Sequence, residues 1–156
     1  MWDSFLPDLL VALFGALLTV AIAFATYVIK IRVDEKRAIQ SLINELHMRR
    51  ALRPGPEPMI PGAAGSDDYV RVNSSIASIR DEIRATRDRV RAWERLQRPL
   101  SDMTRACNGY LSLSAATPDA YAIYVGDLRR ALTTSIQELA GSRGGLAIRE
   151  PGTGTS

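Results

Sequence analysis

The sequence predicts an all-α protein: a single N-terminal transmembrane helix that continues into a small cytoplasmic helical bundle or coiled coil. Three observations predict it. Residues Leu9 to Ile29, LLVALFGALLTVAIAFATYVI, form 21 consecutive positions without a charged side chain. Beyond them, apolar residues recur at alternating steps of three and four, the period of one helix face. The composition is that of helical bundles: small aliphatics with Arg, Asp and Glu, and only 6% aromatic residues.

At about 1.5 Å per residue the first segment spans roughly 32 Å as a helix, close to the ~30 Å hydrocarbon core of a bilayer. A cleaved signal peptide begins with positive charge and has a shorter apolar core, about 7–15 residues. Residues 1–8, MWDSFLPD, instead carry Asp3 and Asp8 and no Lys or Arg. The segment 9–29 is therefore read as a retained anchor with a short external tail, 1–8. No Lys or Arg precedes the span, whereas Lys30, Arg32, Lys36 and Arg37 follow it. The positive-inside rule then places the N-terminus outside and the C-terminus in the cytoplasm of a cell whose inner membrane holds the chain. Trp2 and Phe5 suit the outer interface and Tyr27 the inner one, where amphipathic rings are stable at headgroup depth. Gly15, Thr19 and Ala23 recur every fourth residue. They are candidates for close packing of two spans, although small residues are also common in membrane helices. The span has no Asp, Glu, Lys, Arg or His, the residues that mark an intramembrane ion or proton path.

From Ile31 to Leu52 there is no Gly or Pro, and Ile39, Leu42, Ile43, Leu46 and Leu52 fall on one stripe. Residues 30–53 are read as an amphipathic juxtamembrane helix, continuous with the span. Residues 54–68, PGPEPMIPGAAGSDD, hold four prolines and three glycines and are read as a linker. Ser66, Asp67 and Asp68 are suited to capping the next helix, because short polar side chains accept bonds from its free N–H groups.

Residues 69–140 are read as a bundle of helices at about 69–98, 102–113 and 118–140. In the first, Val72, Ile76, Ile79, Ile83, Thr86, Val90, Trp93 and Gln97 are spaced as a heptad seam with two polar interruptions. The seam suits an intermolecular coiled coil. It equally suits the long helix of an intramolecular bundle, which the wide loop before it and the two helices after it favour. Ile76, Ile79, Ile83, Val90 and Trp93 are accordingly the candidate interface residues. Pro99 is expected to break this helix and Ser101 to cap a short one burying Leu100, Met103, Cys107, Tyr110 and Leu111. Thr117, Pro118 and Asp119 form a start signal of cap, first-turn proline and first-turn acid. The last helix then buries Tyr121, Val125, Leu128, Leu132, Ile136 and Leu139. Gly141 is expected to stop it, and residues 141–156, rich in Gly, Ser, Thr and Pro, to be disordered.

Little in the chain points to catalysis. His47 is the single histidine and Cys107 the single cysteine. Without further ligands the first is a poor metal site, and without a nearby base the second is a poor nucleophile. One cysteine also rules out an internal disulfide and suits a reducing compartment. No nucleophile elbow, phosphate-binding P-loop or dinucleotide fingerprint occurs. Between Arg80 and Arg98 seven arginines are interleaved with Asp81, Glu82, Asp88 and Glu94, a self-paired solvated face rather than a phosphate-binding stripe. The expectation is a non-enzymatic, membrane-anchored interaction protein with no metal, no cofactor, no nucleic acid and no evident small-molecule substrate. Its partners would be the lipid bilayer and either a second copy or another membrane or cytoplasmic protein. The alternatives are a phage-type lysis or envelope protein, holin or spanin-like, and a small accessory subunit of a membrane complex.

Overall fold

A computed structural model describes residues 5–53, 59–90, 94–142 and 144–154, with side chains from residue 12 onward. Among the described residues there are four α-helices and no strand. They are α1 (Phe5–Met48), α2 (Asp67–Arg89), α3 (Glu94–Ala116) and α4 (Tyr121–Ser142), joined by short 3-10 turns at Arg50–Leu52, Ala63–Gly65 and Pro118–Ala120. The chain divides into two compact units, Met1–Glu35 and Lys36–Ser156.

Unit 1 is the N-terminal part of α1, long and apolar enough to cross a membrane. Pro7 falls in the first turn, where its missing N–H would have no intrahelical acceptor.

Unit 2 is a helical bundle around one core. The stripe Ile39, Leu42, Ile43 and Leu46 on α1 is fully buried, as is Leu52 in the turn that follows. It meets Ile76, Ile79 and Ile83 of α2, Leu100, Met103 and Cys107 of α3, and Leu128, Leu132, Ile136 and Leu139 of α4. α3 packs on both α2 and α4. Full burial of a Leu or Ile side chain is worth about 1.5–3 kcal/mol, so this cluster is the main driving force for unit 2.

Four expectations are corrected. The helix predicted at 69–98 ends at Arg89, and Val90 is extended at φ −85°, ψ 125°. No Gly or Pro marks that end. Its signal is Gln97, whose side-chain amide donates to the carbonyls of Arg87 at 3.1 Å and Val90 at 2.9 Å. Those carbonyls are left open by the end of α2, and the Gln97 amide closes them. Secondly, Pro99 does not break a helix. It is the sixth residue of α3, and its ring is buried. So near the start, proline removes one backbone bond and the packed ring offsets the loss.

Thirdly, Thr117 makes no side-chain cap. Its carbonyl instead accepts from Ala120 N at 3.2 Å, closing a 3-10 turn. Asp119 faces the linker: its carboxylate accepts from Ala63 N at 3.1 Å and its carbonyl from Ile60 N at 2.9 Å. The linker's second half is thereby tied to the start of α4, while residues 54–58 lie outside the described residues. Ser66 does cap α2, accepting from Tyr69 N at 3.2 Å.

Fourthly, residues 144–154, expected to be disordered, pack against α1 and α4, while 143, 155 and 156 lie outside the described residues. Gly152 N donates to Leu46 O and Gly154 N to His47 O, both at 3.0 Å. These carbonyls lie in the last turn of α1, where no intrahelical N–H reaches them; Leu46 O also accepts from Arg49 N at 3.3 Å. Ala147 and the Gln40 side-chain amide exchange two further bonds, and Arg129 pairs with Glu150 at 3.1 Å. Gly152 has φ +76°, and a Cβ there would sit 2.6 Å from the Leu52 carbonyl. Only glycine meets both demands.

Candidate functional site

Two surfaces stand apart. The first is residues 12–29 of α1. Their large apolar side chains are mostly exposed, from Tyr27 at 51% to Phe14 at 69%. At 100° per residue, the large side chains at 13, 14, 17, 18, 20, 22 and 24 cover a little over half of the circumference, and the remaining arc holds Gly15, Ala12, Ala16, Ala23, Thr19 and Thr26, so no charged face is left for water. The hydroxyls in the stretch are internally satisfied: Thr19 donates to Gly15 O at 2.8 Å and Thr26 to Ile22 O at 2.9 Å. Such back-bonding removes the cost of an unpaired hydroxyl in an apolar surround. Gly15, Thr19 and Ala23 share one face, and a Cβ added at Gly15 would meet nothing within 4 Å.

The second surface is a groove of about 710 Å³ in unit 2. Arg49, Arg50, Arg53 and Arg71 line it together with Met48, Ile60, Val72, Tyr121 and Val125, and among the described residues Asp68 is the one carboxylate in its lining. The local fold explains why the arginines gather. α1 ends at Met48, and the 3-10 turn Arg50–Leu52 closes through Arg53 N to Arg50 O at 3.0 Å. Buried Leu52 pins that turn to the core, which leaves its neighbours at the groove. Arg71 comes from the second turn of α2, which Ser66 caps.

Arg49 bonds the Glu45 carboxylate at 2.8 Å and the Ser78 hydroxyl at 3.3 Å, while its buried Nε has no partner. The Arg71 Nε donates to Asp67 O at 3.3 Å. Tyr121 stacks edge-on against Tyr69 with ring centres 5.6 Å apart and donates its hydroxyl to Asp68 Oδ2 at 2.7 Å. Burial, then the Asp68 bond and charge, push the Tyr121 phenol up to about 12, so it remains a donor across the physiological range.

The predicted interface residues Ile76, Ile79, Ile83 and Val90 all lie in the core of unit 2. Trp93 lies outside the described residues, as does Trp2. Cys107 is fully buried, and desolvation pushes its thiol up to about 12. His47 is held by the C-terminal residues: its Nδ1 lies 2.9 Å from Glu150 O, an acceptor, so Nδ1 carries the proton in that bond. Thr153 Oγ1 lies 3.0 Å from the same nitrogen and donates to the same carbonyl. Among the described residues no three His, Cys, Asp or Glu side chains come together to hold a metal.

The basic groove is the feature that sequence reasoning missed. Its one local signal was the density of arginine at 49, 50 and 53, at the foot of an amphipathic helix.

No protein-family model matches the chain, and no curated protein or solved structure matches it. Its function is accordingly read from its own residues.

Proposed function

We propose that this protein is a single-span membrane anchor carrying a helical interaction module, with its N-terminus outside and unit 2 in the cytoplasm. The observation that carries the reading is the surface of residues 12–29 of α1, where the large apolar side chains are exposed and no charged side chain occurs. Water does not accommodate such a surface as a monomer, and a bilayer does. The orientation rests on Lys30, Arg32, Lys36 and Arg37 following the span with no basic residue before it.

A non-enzymatic role is supported by the state of the two reactive side chains. Cys107 is buried and held as the thiol, and His47 is engaged by backbone and threonine. A partner would meet the outer surface of the bundle and not the heptad seam, because the seam residues are internal. A second copy could additionally pair along Gly15, Thr19 and Ala23.

Topology reporters fused after Ser156 test the reading, combined with alkaline carbonate extraction. The expected result is activity of a cytoplasm-specific reporter in the carbonate-resistant pellet. An external C-terminus would overturn the orientation and favour the envelope-spanning alternative. Recovery of a shortened, carbonate-soluble chain would overturn the anchor and identify residues 9–29 as a cleaved leader.

A further inference from the structure

The groove of unit 2 is concave, and its volume of about 710 Å³ lies within the range of small-molecule sites, about 300–1,000 Å³. Its lining has four arginines against one aspartate, an excess of three positive charges. One of the four, Arg49, is paired with Glu45 from outside the lining.

Several arginines outside the groove have nearby carboxylates, Arg80 and Arg84 with Asp81, Arg105 with Asp102, Arg129 with Glu150, Arg130 with Asp127, while others such as Arg95 and Arg98 on α3 have none among the described residues. Arg50 and Arg71 have no such pairing among the described residues, and the groove's one carboxylate, Asp68, accepts from Tyr121. Two exposed guanidinium groups without a carboxylate partner thus face one concave surface, beside Arg49, whose Nε is buried and unpartnered, an arrangement suited to an anion. The same lining carries apolar and aromatic side chains, Met48, Ile60, Tyr121 and Val125.

We propose that this groove binds an organic phosphate: Arg50 and Arg71 take the phosphate, and the apolar lining residues Met48, Ile60, Tyr121 and Val125 take an apolar or aromatic group attached to it. Phosphate fits better than carboxylate because a dianion with three terminal oxygens can engage several guanidinium forks, whereas a monoanion leaves their repulsion uncompensated. The dimensions fit one small group and not a nucleic-acid backbone, which needs an extended basic stripe. The ligand chemistry has two sources, a soluble phosphate ester or the headgroup of a phosphomonoester lipid. The proposal is independent of whether α1 crosses a bilayer, since every residue in it belongs to unit 2.

The test is calorimetric titration of the full chain in neutral detergent micelles. The probes are inorganic phosphate, phenyl phosphate and phenol. Phenyl phosphate is expected to bind saturably and more tightly than inorganic phosphate, with no detectable binding of phenol. Arg50→Gln with Arg71→Gln is expected to weaken phenyl phosphate by about tenfold or more, the loss of two charge-assisted contacts. Both side chains lie on the surface of the groove, and circular dichroism verifies that the double variant stays folded.

Arg95→Gln with Arg98→Gln removes the same charge from exposed positions on α3 and is expected to leave affinity within about twofold, a general field effect only. No saturable binding at about ten millimolar, the weak end of ordinary affinities, overturns the proposal. Equal losses in the two double variants also overturn it, because the attraction would then be diffuse. Adding short-chain phosphatidic acid to the micelles separates the sources. Displacement of phenyl phosphate, absent with phosphatidylcholine, identifies the lipid headgroup; its persistence identifies a soluble ester.

Discussion

Leu17 in unit 1 is 58% exposed and Leu132 in unit 2 is 0% exposed, although both are leucines within long helices. The difference lies in their neighbours along the chain. Around Leu132, positions 129, 130, 133 and 134 are Arg, Arg, Thr and Thr, so the helix has one face to bury and one to solvate. Around Leu17, no direction carries a charged side chain, and no arrangement of three further helices would cover all of it. Burial of a stripe builds a bundle; a surface uncharged on all sides calls for a different solvent. The two regions therefore obey the same transfer energetics with opposite outcomes.

The largest expected effect is a charge in the core. Ile83→Asp should cost about 4 kcal/mol or more, because a carboxylate would be buried without a partner. Loss of unit 2 helicity, read by circular dichroism and urea titration, is the expected outcome. A variant that kept full helicity and only dissociated oligomers would show that the seam works between chains.

Next comes a paired test of exposed leucines. Leu18→Arg should disfavour membrane insertion by about 3 kcal/mol and raise the carbonate-extractable fraction. Leu113→Arg, at a similarly exposed position on α3 (51%), should change stability by no more than about 0.5 kcal/mol. Equal effects at the two sites would erase the distinction between the regions.

Gly152→Ala should cost about 1–3 kcal/mol of local stability, since φ is +76° and the new methyl would meet the Leu52 carbonyl. Hydrogen exchange should accelerate at the amides of Gly152 and Gly154 while the core stays protected. Unchanged exchange would mean that these residues do not hold the end of α1.

Smaller still is Gln97→Ala, which leaves the carbonyls of Arg87 and Val90 without their donor and should cost about 1–2 kcal/mol. Thermal melts of this variant against Gln97→Glu, which cannot donate the same bonds when ionised, measure it. If both melt like the parent, the amide does not secure the break between α2 and α3.

The smallest effect at neutral pH is that of Cys107, and it emerges only in alkali. Its thiol is raised from 9.0 to about 12 by burial, so folding favours the neutral form. The associated stability is complete below pH 9 and is lost as pH rises from there toward 12. Urea midpoints should fall over that window, more steeply in the parent than in Cys107→Ala, and native Cys107 should resist alkylation until unit 2 unfolds.

Much of the architecture was legible from periodicity. The inward sets Ile39, Leu42, Ile43, Leu46 and Tyr121 through Leu139 are spaced as helix stripes, and all are buried. The Ser66 cap was legible for the same local reason. The groove was not, because three of its arginines adjoin each other at the end of α1 while the fourth, Arg71, and the facing Tyr121 come from other helices.

The sequence by itself determined the helical class, the apolar segment and most of the inward-facing residues of α1 and α4, since these depend on near neighbours at fixed angular steps. Only the tertiary structure decided where α2 stops, why Pro99 is tolerated, that residues 144–154 dock on α1, and that four arginines share a groove. Each of those depends on contacts between positions far apart in the chain, such as Gly152 with Leu46 or Gln97 with Arg87. Such contacts leave no period in the sequence, because they exist only once the core has brought the helices together.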